Sequence, residues 1–262
     1  MDARAPEPGS VGDRWEVLID FDGTLAESNV AIDLISEFVP DGLQVARRVD
    51  EELRAGRITL REAWAEEAGL LRSADLSAMG RYVREKVRLR AGSVELLELL
   101  QQYAVPTAVV SGGLGFYIAP LLEREHLQLP VLSDEHRERA DGRLEVVHPH
   151  GHPSCRLCGI CKALAVRSAA ERGRRTVFLG DGSTDRYAAE VADIVFARRR
   201  LQEICRSRGI RFYPFEDFFP VTEQLRRWLG GGEPPPPVRA AGRGESECPV
   251  SVELSRGPAA RR

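Results

Sequence analysis

Asp20 and Asp22 stand one residue apart in the run Asp20-Phe21-Asp22-Gly23-Thr24, which begins just after the apolar stretch Val17-Leu18-Ile19. Ser111-Gly112-Gly113 places a hydroxyl beside two unobstructed backbone amides, and Gly180-Asp181-Gly182-Ser183-Thr184-Asp185 supplies two further carboxylates. Lys162 stands between these last two runs. If the segments converge, they build a crevice of crowded carboxylates, one lysine, one hydroxyl and glycine-flanked amides. Crowded carboxylates repel, and a hard cation relieves the repulsion. A donor set of oxygens with no local His or Cys suits Mg²⁺. A carboxylate beside such a cation can attack phosphorus. A second one can protonate the leaving oxygen and later deprotonate water. Ser111, the amides of Gly112 and Gly113, and Lys162 would hold a phosphate. Taken singly, Asp-Gly is a turn, Ser-Gly-Gly a loop and a lysine at a helix start a solvated charge. Four such groups at strand ends are hard to attribute to turns alone.

The elements needed to position them are legible as alternation. Short apolar runs at Val17–Asp20, Pro106–Val110, Thr176–Leu179, Asp193–Ala197 and Arg211–Phe215 read as strands. Their near-continuous apolar character suits a parallel sheet buried on both faces. Helical patterns lie between them, over about Val94–Tyr103, Phe116–Glu125, Lys162–Arg172, Thr184–Val191 and Leu201–Arg208. This predicts an open α/β fold with helices on both faces, whose ligands bind beyond the carboxyl ends of the strands. About eighty residues separate the first two strands, too many for a structureless loop. Residues 29–90 are therefore expected to form an inserted helical subdomain. Val131-Leu132 and Leu144–Val147 suggest a small antiparallel pair around Asp141-Gly142. The expected organisation is a flexible leader over 1–13, a core over 14–28 and 91–229, the helical insert over 29–90, and a disordered tail over 230–262, rich in Pro, Gly and Arg.

Composition narrows the class. The 262 residues are 43% hydrophobic and 29% charged, with a net charge of −3. That balance predicts no nucleic-acid partner and no membrane partner. No run of ~18 apolar residues offers a membrane span, and the N-terminus lacks the apolar segment of a secretory signal. The expected compartment is the cytoplasm, and the expected state a monomer or homodimer.

Taken in order, DFDGT, SGG, a lysine and GDGSTD resemble the four motifs of the haloacid dehalogenase superfamily, over roughly residues 15–229. The resemblance implies a Rossmann-like core with a helical cap inserted after the first motif. It implies Asp20 as nucleophile and Mg²⁺ ligand, and Asp22 as general acid/base and ligand through its backbone carbonyl. Thr24, Ser111, Gly112 and Gly113 fall to the substrate, with Lys162 on the phosphate. Asp181 becomes the third metal ligand, and Asp185 supports the metal's water shell. An acid at position 22 favours phosphoryl transfer over cleavage of a carbon–halogen bond. Within the superfamily the chain is similar to the phosphoserine-phosphatase-like branch. VVSGGLGFYIAPLL, HPHGHPSCRLCGICK and FARRRLQEICRSRGI resemble phosphatases acting on 2-hydroxy-3-keto-5-methylthiopentenyl-1-phosphate in methionine salvage. The His-Ser-Cys-x-x-Cys stretch is also similar to phosphoethanolamine/phosphocholine phosphatases. Phosphoserine phosphatases fit less well: Asn29 stands where they carry a glutamate for the substrate ammonium, and Glu67 where they carry a cap arginine.

The expected activity is thus hydrolysis of a small-molecule phosphate monoester through a phospho-aspartate, the methionine-salvage ester being the leading substrate and phosphoserine, phosphoethanolamine or phosphocholine the alternatives. A reading of another class is a non-catalytic partner-binding protein on the same scaffold. All five histidines lie between positions 126 and 152, just before Cys155, Cys158 and Cys161. Three thiolates and one histidine could hold a structural Zn²⁺; reduced thiols packed in a loop are the other reading. Arg198-Arg199-Arg200 reads as a solvated helix start, and Trp64 and Trp228 as packing residues.

Overall fold

A computed structural model describes residues 11–237 and Cys248. Residues 1–10 of the expected leader, and those of the expected tail beyond 237 apart from Cys248, lie outside the described residues. In chain order the elements are β1 (Trp15–Ile19), α1 (Val30–Phe38), α2 (Gly42–Arg54), α3 (Leu60–Ala68), α4 (Leu76–Lys86), α5 (Ser93–Gln102) and β2 (Thr107–Leu114). There follow α6 (Gly115–Arg124), β3 (Val131–Glu138), β4 (Leu144–Val147), α7 (Lys162–Glu171), β5 (Arg175–Gly180), α8 (Arg186–Val191), β6 (Ile194–Ala197), α9 (Arg199–Ser207), β7 (Tyr213–Pro214) and α10 (Phe219–Leu229). The fold class is α/β and Rossmann-like, with mostly parallel strands. The chain divides into two compact units, one of residues 1–20, 90–108 and 162–262, the other of 21–89 and 109–161.

In the first unit β1, β5, β6 and β7 pair in that order, all parallel. Val17 faces Val177 and Ile19 faces Leu179 in register. All five residues of β1 are buried, as are Thr176–Gly180 and the whole of β6. A strand covered on both faces needs a nearly continuous apolar run, and the one buried carboxylate of β1, Glu16, is paired with Arg172 and Arg174. The Val17 N–H also donates to the Pro106 carbonyl at 2.9 Å, which aligns the entry to β2 beside β1. Trp228 from α10 stacks on Trp15 at 6.2 Å and closes one end of this core. The chain before β1 is ordered earlier than position 14. Val11–Arg14 form a 3-10 turn, and a side chain at Gly12 would strike the Tyr103 carbonyl.

In the second unit β2 pairs parallel with β3, and β3 then pairs antiparallel with β4. The small antiparallel pair is present, built from Glu135–Glu138 rather than from Val131-Leu132, which pair with β2. Strand β2 also runs through Ser111-Gly112-Gly113 instead of stopping there, with its register to β3 shifting between Ser111 and Leu114. The four helices α1–α4 account for most of residues 29–90 and belong to this same unit. Asn29 caps α1 by accepting from the Ile32 N–H, and Thr59 with Glu62 forms a capping box on α3. Each cap satisfies amide donors that the first helical turn leaves open.

Candidate active site

The first unit gathers four of the expected residues at the carboxyl ends of its strands. Asp20 directly follows β1, and its N–H donates to the Leu179 carbonyl at 2.9 Å. Asp181 directly follows β5, and Asp185 ends the 3-10 turn Ser183–Asp185. Lys162 is the first residue of α7. Its ammonium donates to Asp20 and, at 2.7 Å, to Asp185 Oδ1. Lys162, Asp20 and Asp185 are all buried. Asp185 Oδ2 accepts from the N–H groups of both Asp181 and Gly182, each at 2.9 Å. A Cβ on Gly180 would lie 2.6 Å from the Asp185 carboxyl, so a glycine is needed for this approach.

One oxygen from each of Asp20, Asp181 and Asp185 lies within 4.8 Å of the others. Burial pushes the Asp20 carboxyl well above its ordinary range, and Asp185 pushes further while Lys162 opposes. Burial, then Asp185, pushes Asp181 up to about 6. Burial works against the Lys162 charge, but Asp185 and Asp20 outweigh it and hold the ammonium above its ordinary value. Three carboxylates and one ammonium leave two negative charges when all are ionised. The donors are hard oxygens, so the set fits a hard divalent cation. Asp185 already accepts three hydrogen bonds, whereas Asp181 keeps a side chain 14% exposed. Asp185 is thus committed to Lys162 and the amides of the turn, while Asp181 keeps an accessible carboxylate.

The second unit holds the remaining expected residues. The turn Phe21–Leu25 bends at Gly23, whose φ of 73° favours glycine. Asp22 Oδ1 accepts from the Val30 N–H at 2.8 Å, and Oδ2 from the Tyr117 hydroxyl at 3.0 Å. Thr24 and Ser111 are fully buried. Ser111 Oγ accepts from the Gly113 N–H at 2.9 Å. Tyr117 was not legible as a site residue; the one available signal is its position as the third residue of α6, just after Ser111-Gly112-Gly113. Also unforeseen is the buried Asp134–His148 pair, Oδ1 to Nδ1 2.9 Å, close enough for an ion pair though not aligned as a good hydrogen bond. Burial raises the Asp134 pKa, and His148 opposes.

The expected zinc centre is corrected. None of Cys155, Cys158 and Cys161 forms a disulfide, and among the described residues their sulfurs do not gather with a histidine nitrogen into a ligand group. The histidine groups are turned to other work. His152 Nδ1 accepts from the backbone of Ser154 and Cys155, the His150 carbonyl accepts from the Cys161 N–H, and His148 faces Asp134. The arginine run is corrected in part. Arg198 is buried and reaches Glu216 at 3.2 Å, Arg200 donates to Ser183, and Arg199 lies 3.9 Å from Asp181.

A family model described as haloacid dehalogenase-like hydrolase matches residues 17–190. A protein of Exiguobacterium sp. named 2-hydroxy-3-keto-5-methylthiopentenyl-1-phosphate phosphatase is 31% identical over 212 residues, covering 80% of this chain and 96% of the relative. A Geobacillus kaustophilus protein of the same name is 31% identical over 216 residues, covering 79% and 94%. Among solved structures, a phospho-aspartyl intermediate analogue of phosphoserine phosphatase matches with a TM-score of 0.63 at 18% identity, covering 81% of this chain and 98% of that one. A hydrolase of the same family from Salmonella enterica matches with a TM-score of 0.63 at 17% identity, covering 82% and 71%. At such identities the structural likeness speaks to the fold alone. The sequence matches carry the assignment further: the chain belongs to the haloacid dehalogenase-like hydrolases.

Proposed function

We propose that this protein is a Mg²⁺-dependent phosphatase that hydrolyses a small-molecule phosphate monoester through a phospho-aspartate on Asp20. The carrying observation is the cluster of Asp20, Asp181 and Asp185, two of whose carboxylates are buried against the Lys162 ammonium. A carboxylate held in such a place is desolvated and close to positive charge, which suits an oxygen that must approach an anionic phosphoryl group.

In this reading an Asp20 oxygen attacks phosphorus as the ester P–O bond breaks. The departing oxygen takes the proton of the Asp22 carboxyl. Asp22, now ionised, takes a proton from water as that water attacks the phosphorus of the phospho-aspartate. Inorganic phosphate leaves, and Asp20 and the protonated Asp22 are restored. Lys162 balances charge on the phosphoryl group. The Ser111 oxygen accepts from Gly113, so its own hydrogen remains to donate to a phosphate oxygen. The Gly112 amide and Thr24 serve the same phosphate. Mg²⁺ held by Asp20, Asp181 and the Asp22 carbonyl, with Asp185 beside them, would supply further charge neutralisation.

For the substrate we propose 2-hydroxy-3-keto-5-methylthiopentenyl-1-phosphate, on the strength of relatives so named that this chain matches over nearly their full length. Asn29 speaks against phosphoserine: it is neutral, and its side chain is spent capping α1. We assign substrate choice to residues 29–90. A phosphate-release screen with Mg²⁺ tests both levels. It should include p-nitrophenyl phosphate, the methionine-salvage ester, phosphoserine, phosphoethanolamine and phosphocholine. No turnover of any ester, or unchanged turnover in Asp20→Asn, would sink the phosphatase reading. Preference for another ester would overturn only the substrate.

A further inference from the structure

We infer that Tyr117 is a positioning residue for the Asp22 carboxyl, fixing the direction in which its proton is delivered to the leaving oxygen. This rests on the reading of Asp22 as general acid. The Tyr117 side chain is fully buried, and its hydroxyl donates to Asp22 Oδ2 at 3.0 Å. From the other side the Val30 N–H, at the start of α1, donates to Oδ1 at 2.8 Å. With one hydrogen bond to each oxygen, the carboxyl cannot turn about its Cβ–Cγ bond without breaking one of them.

The tyrosine is itself held. Its ring lies 5.4 Å from that of Phe116, edge to face, and 6.2 Å from that of Phe21. The backbone at Gly113 passes so close that an added Cβ would lie 2.0 Å from the Tyr117 oxygen and 2.7 Å from Asp22 Oδ2. Gly113 therefore has a second task beyond its amide: it leaves the room in which the tyrosine and the aspartate meet. The tyrosine is not needed here for packing alone, since phenylalanine would fill the same volume without the hydroxyl.

Proton delivery matters in proportion to how poor the leaving group is. As the ester P–O bond breaks, an alkoxide must take the Asp22 proton, whereas p-nitrophenolate departs without one. The test is kcat/KM for an alkyl phosphate monoester and for p-nitrophenyl phosphate, measured on wild type, Tyr117→Phe, Asp22→Asn and the double variant. This ratio reports events up to departure of the leaving group and excludes the later water step. We expect Tyr117→Phe to lower kcat/KM for the alkyl ester roughly tenfold, and for p-nitrophenyl phosphate less than about threefold. Adding Tyr117→Phe to Asp22→Asn will not lower the alkyl ester further. Equal losses on both substrates, or no loss on either, would overturn the positioning role while Asp22→Asn remained selective. If Asp22→Asn were itself unselective, the general-acid reading would fail and the role of Tyr117 with it.

Discussion

The Lys162 ammonium lies 2.7 Å from Asp185 Oδ1, and both groups are buried at the carboxyl end of the sheet. Asp185 is anchored in turn by two backbone amides, so the lysine is held on a fixed post while it also contacts Asp20. The position of this positive charge is thus set by the Ser183–Asp185 turn, and not by a flexible surface pair.

Removing that ammonium leaves buried carboxylates uncompensated. Lys162→Met is expected to lower kcat by roughly 10²-fold or more and to destabilise the metal-free protein by about 3–5 kcal/mol at pH 8. Phosphate release and urea denaturation check the two effects. Full stability with lost activity would show that the lysine serves substrate alone.

On the proposed reading Mg²⁺ would bind only the folded arrangement of carboxylates and so would stabilise by mass action. Millimolar Mg²⁺ is expected to raise the melting temperature of wild type, and to do so far less in Asp181→Asn. Differential scanning fluorimetry with and without chelator measures this. An equal shift in both proteins would remove Asp181 from the ligand set.

Glu67 on α3 gives a pH signature of its own. Burial, then Asp50 and Glu66, raise its pKa from the ordinary 4.5 to about 7. The folded state therefore holds this proton more tightly than the unfolded chain does. Its contribution is most favourable below pH 4.5 and is lost as pH rises towards 7. Glu67→Gln is expected to raise the melting temperature at pH 8 and to leave it nearly unchanged at pH 4.5. Thermal melts at the two values check the sign.

The Asp134–His148 pair makes a further case. His148→Ala leaves a fully buried carboxyl without its nearest partner and is expected to destabilise by about 3 kcal/mol. Adding Asp134→Asn in that background should recover part of the loss, because a neutral amide costs less to bury. Chemical denaturation of the single and double variants measures the coupling.

The sequence by itself determined the chemical inventory: which carboxylates, which lysine, which glycine-flanked amides, and that strands and helices alternate around them. These are local properties. Val17–Ile19 and Thr176–Leu179 declare buried strands through unbroken apolar runs, and the polar residues that follow must lie at the strand ends. The same locality misled at Ser111-Gly112-Gly113, which reads as a stop but continues β2, and at the cysteines, whose spacing says nothing about where the neighbouring histidine nitrogens point. Only the tertiary structure decided how the carboxylates divide their labour. Asp185 is tied to Lys162 and two amides, Asp181 keeps partial exposure, and Asp22 is gripped by a tyrosine 95 positions away. Hydrogen bonds are directional and desolvation depends on every neighbour, so neither is fixed until segments distant in sequence are packed together.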